Sequence, residues 1–283
     1  MFELIRNGQS TGKCVKVFRN VRFDLMREYG IPKNLDHPHI MKFELIRFEG
    51  DLALRMDMAS STLQKLISNC YDVRYRIIRR LHPKAVLQAI TDIMDAISFA
   101  HQHRVLHRDL KPDNVLVFPS GLRVSDFGLC RFESHQMTAN RGTPGYIAPE
   151  VLSSSVVTDY SFPADVYSCG KILHQLLLVM HPDASATSTA IKEKLSTLCG
   201  EMIQNAPQAR PTAEDCLRRL CNLEDGVNLS NRLLTNLDAA YDKKVEEYNQ
   251  LRERLAQLEL EIAEIETRKD TVQRTVDNYF WRA

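Results

Sequence analysis

Apolar positions come in short alternating runs through the first part of the chain and then change period. The runs "FELI", "CVKVF", "KFELIRF" and "DLALRMDM" are strand-like in length and composition. The first and third nearly repeat each other, which reflects strand composition rather than a repeat unit. Between the second and third, "VRFDLMREYGIPKNLDHPHI" has room for one short helix, which Gly30 and Pro32 should end. From Pro83 onward Val86, Ile90, Ile93, Ile97 and Ala100 recur at helical spacing, predicting a helix of about four to five turns behind an N-terminal proline. A loop-rich stretch over 105–162 follows, then helical patterns near 164–180 and 189–222.

The last section has a different period. Heptad a positions fall on Tyr241, Tyr248, Leu255, Ile262, Lys269 and Val276, and d positions on Lys244, Leu251, Leu258, Ile265, Val272 and Tyr279. Ten of these twelve are apolar or aromatic, so a coiled coil of roughly 60 Å is predicted. Each core side chain left in water would forfeit about 1.5–3 kcal/mol, which calls for a partner helix. The alternative is a helix folded back on its own domain. In a parallel dimer Glu247 would face Arg252 and Arg254 would face Glu259, while Glu261 would oppose Glu266.

Composition narrows the class. The 283 residues carry 37 Lys+Arg against 36 Asp+Glu, a formal +1, which gives no general nucleic-acid or membrane-surface binder. Seven cysteines without a C-x-x-C pair argue against a disulfide framework or a zinc ribbon and for a reducing, intracellular and cytoplasmic setting. No run resembles a signal peptide or a membrane span, and Phe2 excludes N-myristoylation.

The chemistry concentrates in "VLHRDLKPDNVLV" (Val105–Val117), followed in order by "SDFGL" (Ser125–Leu129) and "GTPGYIAPE" (Gly142–Glu150). With these three markers the chain resembles the eukaryotic protein kinases of the serine/threonine type, over about Cys14 to Leu220. The resemblance implies an α+β, bilobal fold. An abbreviated β-rich N-lobe would occupy residues 1–58 and a larger helical C-lobe residues 59–223. Residues 224–283 would form a linker and the coiled coil.

It also implies a cofactor and a site. Phosphoryl transfer from ATP with Mg²⁺ needs charge neutralisation and in-line positioning more than covalent help. By resemblance Asp109 accepts the proton of the substrate hydroxyl, Lys111 sets a positive charge on the transferring group, and Asn114 and Asp126 are oxygen ligands to Mg²⁺. Thr143 would stand beside Asp109, and Lys111 with "GTPGY" points to Ser/Thr hydroxyls of protein substrates. Met56 matches the gatekeeper at the adenine site, with Asp57, Met58 and Ala59 as the hinge. Phe127 and His107 would stack behind the site, Asp165 would hold the catalytic-loop backbone, and Glu150 would pair with Arg210. Arg108 would answer a phosphate on the following loop, with Thr138 first and Ser134 second as its bearer.

The segment "RNGQSTGKCVKVF" (Arg6–Phe18) departs from the family. A Walker loop fails because Gly8 to Lys13 is one residue short and Cys14 stands where a hydroxyl is needed. A glycine-rich kinase loop fits poorly. The better reading takes "STGK" as a turn and "CVKVF" as the strand bearing the ATP lysine, Lys16, with Glu28 available to pair with it. Three accounts of the lost glycine loop stay open: an abbreviated phosphate cover, a chain that begins after the loop, or weakened nucleotide binding.

Two further signals have bland readings. His101, His103 and His107 have metal-like spacing but lie where a helix enters the catalytic loop, and the basic run Arg74–Lys84 could dock acidic substrates or be a solvated face. The function expected is a protein kinase that self-associates, as a homodimer or with a heteromeric partner, through its coiled coil. The alternative is a pseudokinase scaffold. A small-molecule phosphotransferase is disfavoured by "GTPGYIAPE".

Overall fold

A computed structural model describes residues 2–6, 9–17, 30, 32–70, 80–127, 131–132, 143–153, 160–181, 183 and 185–227, with individual positions between 243 and 269. The chain divides into two compact units, residues 1–224 and 225–283. The first opens with an antiparallel sheet of four strands in the order β1-β2-β4-β3, where β1 is Phe2–Arg6, β2 Gln9–Val17, β3 Glu44–Phe48 and β4 Asp51–Asp57. "STGK" is not a turn: Arg6 pairs with Gln9, so the chain reverses before it, and Ser10–Lys13 lie inside β2. Gly12 keeps its place in the strand at φ +66, a left-handed value that only glycine adopts without strain, while its carbonyl accepts the Met58 N–H at 2.9 Å.

In β2 and β4 Cys14 faces Met56 and Lys16 faces Leu54. Cys14, Leu54 and Met56 are buried with Met41 in one cluster, packed by Phe43 and Leu116. The chain leaves β4 into β5 (Ser61–Thr62), which pairs with β7 (Val115–Phe118), itself paired with β8 (Gly121–Val124). A short helix, α1 (Leu63–Cys70), follows β5, and Thr62 Oγ1 caps it by accepting the Lys65 N–H at 3.2 Å.

The expected helix after Pro83 is α2, Pro83–Gln102. Pro83 sits at its N-terminus behind His82, whose ring accepts the Lys84 N–H at 3.2 Å. Val86, Ile90, Ile93, Ile97 and Ala100 are each no more than 1% exposed. Removing the four larger side chains, Val86, Ile90, Ile93 and Ile97, from water contributes about 1.5–3 kcal/mol each, which makes α2 a main support of the helical part.

Strand β6 (Val105–Leu106) pairs with β9 (Arg131–Phe132), and α3 (Pro149–Ser153), α4 (Phe162–Val179) and α5 (Ala186–Met202) follow along the chain. The helical pattern near 189–222 is two helices, α5 and α6 (213–227), not one. Pro207 and Pro211 cannot donate to a helix interior, so the chain turns between them, and Thr212 Oγ1 restarts it by accepting the Asp215 N–H at 3.1 Å. In the second unit the described positions between 243 and 269 are helical. No helix among the described residues is long and apolar enough to cross a membrane.

Candidate active site

Hairpin register builds the first half of the site. Val115 on β7 pairs with Val124 on β8, so the residues just outside that pair, Asn114 and Ser125, meet at the open end. The Ser125 N–H and hydroxyl both donate to the Asn114 carbonyl, at 2.8 and 3.0 Å. Asp126 follows at φ +60 and is exposed, while Phe127 turns inward at 1% exposure against the His107 ring, 4.8 Å between centroids. A left-handed aspartate is an uncommon conformation that costs energy, and here it separates an outward carboxylate from an inward ring.

The second half is the loop from His107 to Asn114, held from behind. Asp165 on α4 is fully buried and accepts the His107 N–H at 2.9 Å and the Arg108 N–H at 3.0 Å. Burial alone would raise its carboxyl, yet the His101 ring at 3.0 Å, with His107 and the Arg108 amide, keeps it below the usual carboxylate range. His101 is thus a partner of Asp165 and belongs to no metal cluster among the described residues.

On the front of the loop four side chains converge. Thr143 Oγ1 donates to Asp109 Oδ1 at 2.7 Å, and Lys111 Nζ reaches Thr143 Oγ1 at 2.7 Å and Asp109 Oδ2 at 3.0 Å. Asn114 Nδ2 donates to the Asp109 carbonyl at 2.8 Å and to its Oδ2 at 3.1 Å. Behind the segment that carries Thr143, Arg210 Nη1 and Nη2 donate to the two oxygens of Glu150, each at 2.7 Å. Such a fork-to-fork pair is both strong and directional.

A cavity of about 580 Å³ adjoins Asn114. Cys14, Met56, Met58 and Leu116 form apolar wall, and Lys16, Asn114 and Asp126 supply polar groups. Five of the nine expected site residues therefore line one cavity: Lys16, Met56, Met58, Asn114 and Asp126. Asp109, Lys111 and Thr143 form the adjacent cluster, joined to it through Asn114. The remaining one, Glu28, lies outside the described residues, as do Thr138, Ser134 and most of the basic run from Arg74.

Three features escape sequence reasoning. Asp57 bonds Lys13 and also Arg123 on β8 at 3.0 Å, linking the four-stranded sheet to the β7–β8 hairpin, and the Lys13 hydrogen bond foremost holds its carboxyl low. Asp113 and Lys65 stand at the cavity wall as an acid and a base. Tyr160 is buried against Asp165.

The protein kinase domain family matches residues 6–220 of the chain. The chain belongs to that family. Its similar kinases are of the serine/threonine type. One is "Serine/threonine-protein kinase ULK3" of Xenopus laevis, 27% identical over 215 residues, covering 73% of this chain and 43% of the relative. "Serine/threonine-protein kinase fused" of Drosophila melanogaster is 30% identical over 220 residues, covering 70% of this chain and 25% of the relative. "Serine/threonine-protein kinase PkaB" of Streptomyces coelicolor is 30% identical over 220 residues, covering 67% and 50%. The kinase chain thus spans between a quarter and a half of the length of these relatives. The segments Val105–Val117, Ser125–Leu129 and Gly142–Glu150 all fall within the matched kinase domain.

Proposed function

We propose that this kinase domain transfers the γ-phosphoryl group of ATP to Ser/Thr hydroxyls of protein substrates. The observation that carries the reading is the closed set Asp109–Thr143–Lys111, tied through Asn114 to the cavity holding Lys16 and Asp126. The residues fit Mg·ATP. The cavity combines apolar walls for a flat base with a lysine for phosphate and with oxygen donors, Asn114 and Asp126, that suit a hard cation. When bound, Mg·ATP supplies the phosphoryl group and the cationic charge that offsets it.

The chain's own residues supply position. Asp109 takes the proton of the attacking hydroxyl and orients it, and Thr143 fixes the carboxylate by donating to Oδ1. Lys111 balances Asp109 and the incoming negative charge. Lys16 holds phosphate, while Met56 and Met58 frame the base. On this reading residues 1–58 act as a reduced small lobe, supported by the end of the four-stranded sheet at Asp57, and residues 59–223 as the large lobe.

Residues 224–283 serve self-association through a coiled coil, as a homodimer or with a heteromeric partner. Support comes from Leu251, Leu255 and Leu258, whose exposures of 71, 58 and 39% leave an apolar seam in water. Cys14, Cys70, Cys169, Cys199 and Cys216 are buried free thiols, which supports a reducing, intracellular setting.

A second reading, a pseudokinase scaffold, is favoured by one observation: β2 runs through Gly12 as a strand, and no glycine-rich phosphate cover occurs among the described residues. Nucleotide binding separates the two. Saturating Mg·ATP should raise Tm, since ligand at 100 times its Kd adds about 2.7 kcal/mol, and Asp126→Asn should reduce the Mg²⁺-dependent part. No nucleotide-dependent rise, with no phosphate transferred to a basic protein substrate, would favour the scaffold.

A further inference from the structure

Tyr160 stands just before α4 and is 6% exposed. Its hydroxyl donates to Asp165 Oδ1 at 2.9 Å, the oxygen that also accepts the Arg108 N–H at 3.0 Å. Asp165 Oδ2 accepts the His107 N–H at 2.9 Å and meets His101 Nε2 at 3.0 Å. Each carboxylate oxygen therefore has two partners, and Tyr160 is the one that comes from outside both the catalytic loop and α2.

The ring makes a second set of contacts. The Arg108 guanidinium lies 5.3 Å from its centroid, and the ring packs in one apolar cluster with Leu106, Ala148 and Ala164. Leu106 and Arg108 flank His107, and Ala148 belongs to the segment that carries Thr143. One phenol thus touches the loop bearing Asp109, the segment bearing Thr143, and the carboxylate that fixes the loop backbone. Burial, and then the Asp165 charge, push the phenol well above its ordinary range, so it remains a donor at any working pH.

We propose that Tyr160 is a positioning residue for phosphoryl transfer. It holds Asp165 in the orientation that fixes the His107 and Arg108 amides, and so keeps Asp109 in register with Thr143 and Lys111. Its effect on turnover rests on the kinase reading above; its effect on the loop rests on the geometry alone.

The test compares wild type, Tyr160→Phe and Tyr160→Leu by hydrogen exchange of segment 105–111 and by steady-state kinetics with Mg·ATP and a basic protein substrate. The phenylalanine variant keeps the ring and the cluster, so Tm should fall only by what one lost hydrogen bond costs, roughly 3–12 °C. Losing one hydrogen bond to a buried charge should speed exchange at His107 and Arg108, and lower kcat, by roughly 10–150-fold with KM for ATP unchanged. Tyr160→Leu, which also loses the ring, should exceed it in both. Unchanged exchange in Tyr160→Phe would overturn the proposal, as would faster exchange spread evenly over residues 1–224, the mark of a merely structural tyrosine. If wild type transfers no phosphate, the kinase reading falls and the exchange result still decides the role of Tyr160.

Discussion

Asn114 donates one amide group to both the carbonyl and the carboxylate of Asp109, at 2.8 and 3.1 Å. That single side chain joins the Asp109–Thr143–Lys111 cluster to the adjoining cavity, because the β7–β8 register puts Asn114 beside Ser125 and Asp126. The geometry leads to four further expectations.

Thr143 holds Asp109 and Lys111 together with one hydroxyl. In Thr143→Ala both charged groups lose a hydrogen bond, each bond of this type contributing about 1.5–3 kcal/mol. Turnover should fall by roughly 10–100-fold with Tm little changed, and Thr143→Ser should restore most of it. Equal loss in the serine variant would count against the hydroxyl's role.

The Arg210 side chain is fully buried, with two bonds to Glu150 and others to the carbonyls of Gln204, Asn205 and Pro163. Removing one partner strands the other charge. Glu150→Leu should cost about 3–5 kcal/mol, a fall in Tm of roughly 6–20 °C. A variant melting within two degrees or so of wild type would contradict a buried ion pair at this place.

The folded Asp165 carboxyl titrates below its ordinary value. A depressed carboxylate adds stability above the unfolded-state pKa of about 3.9, and that stability is lost as pH falls through the folded-state value. Urea midpoints measured from pH 2 to 6 should therefore drop steeply on the acid side of pH 4 in wild type and less steeply in Asp165→Asn. Parallel profiles would remove Asp165 as a source of acid sensitivity.

Leu251→Lys with Leu255→Lys places charge on the exposed seam of the second unit. Sedimentation velocity should then report monomer where wild type associates, with the Tm of residues 1–224 unaffected. A wild-type monomer at tens of micromolar would argue for a helix that pairs only with a different chain.

Legibility followed the range of the interactions. The α2 helix could be read because its apolar positions and N-terminal proline are local, and Asp109, Lys111 and Asn114 stand out because they share one contiguous motif, with Asp126 in a second. "STGK" misled because its turn-like composition hides a glycine that a strand can use, with the Gly12 carbonyl bonded to Met58, 46 residues on. The pattern over 189–222 misled because Leu195 and Leu220 are both buried although one helix ends at Met202 and the next begins only past Pro207 and Pro211. His101 looked like part of a metal spacing, and only the approach of Asp165, 64 positions away, gives it another partner. Tyr160 left no signal, since its acceptor is shared with amides more than fifty residues upstream.

The most direct measurement is phosphoryl transfer from Mg·ATP to a basic protein substrate by wild type and by Asp109→Asn, on protein whose matching Tm shows that both are folded. A positioned base contributes roughly 10²–10⁴-fold, so the account predicts measurable transfer to Ser/Thr in wild type and a loss of that size in the variant. Equal rates in the two, or no transfer by folded wild type saturated with Mg·ATP, would contradict it.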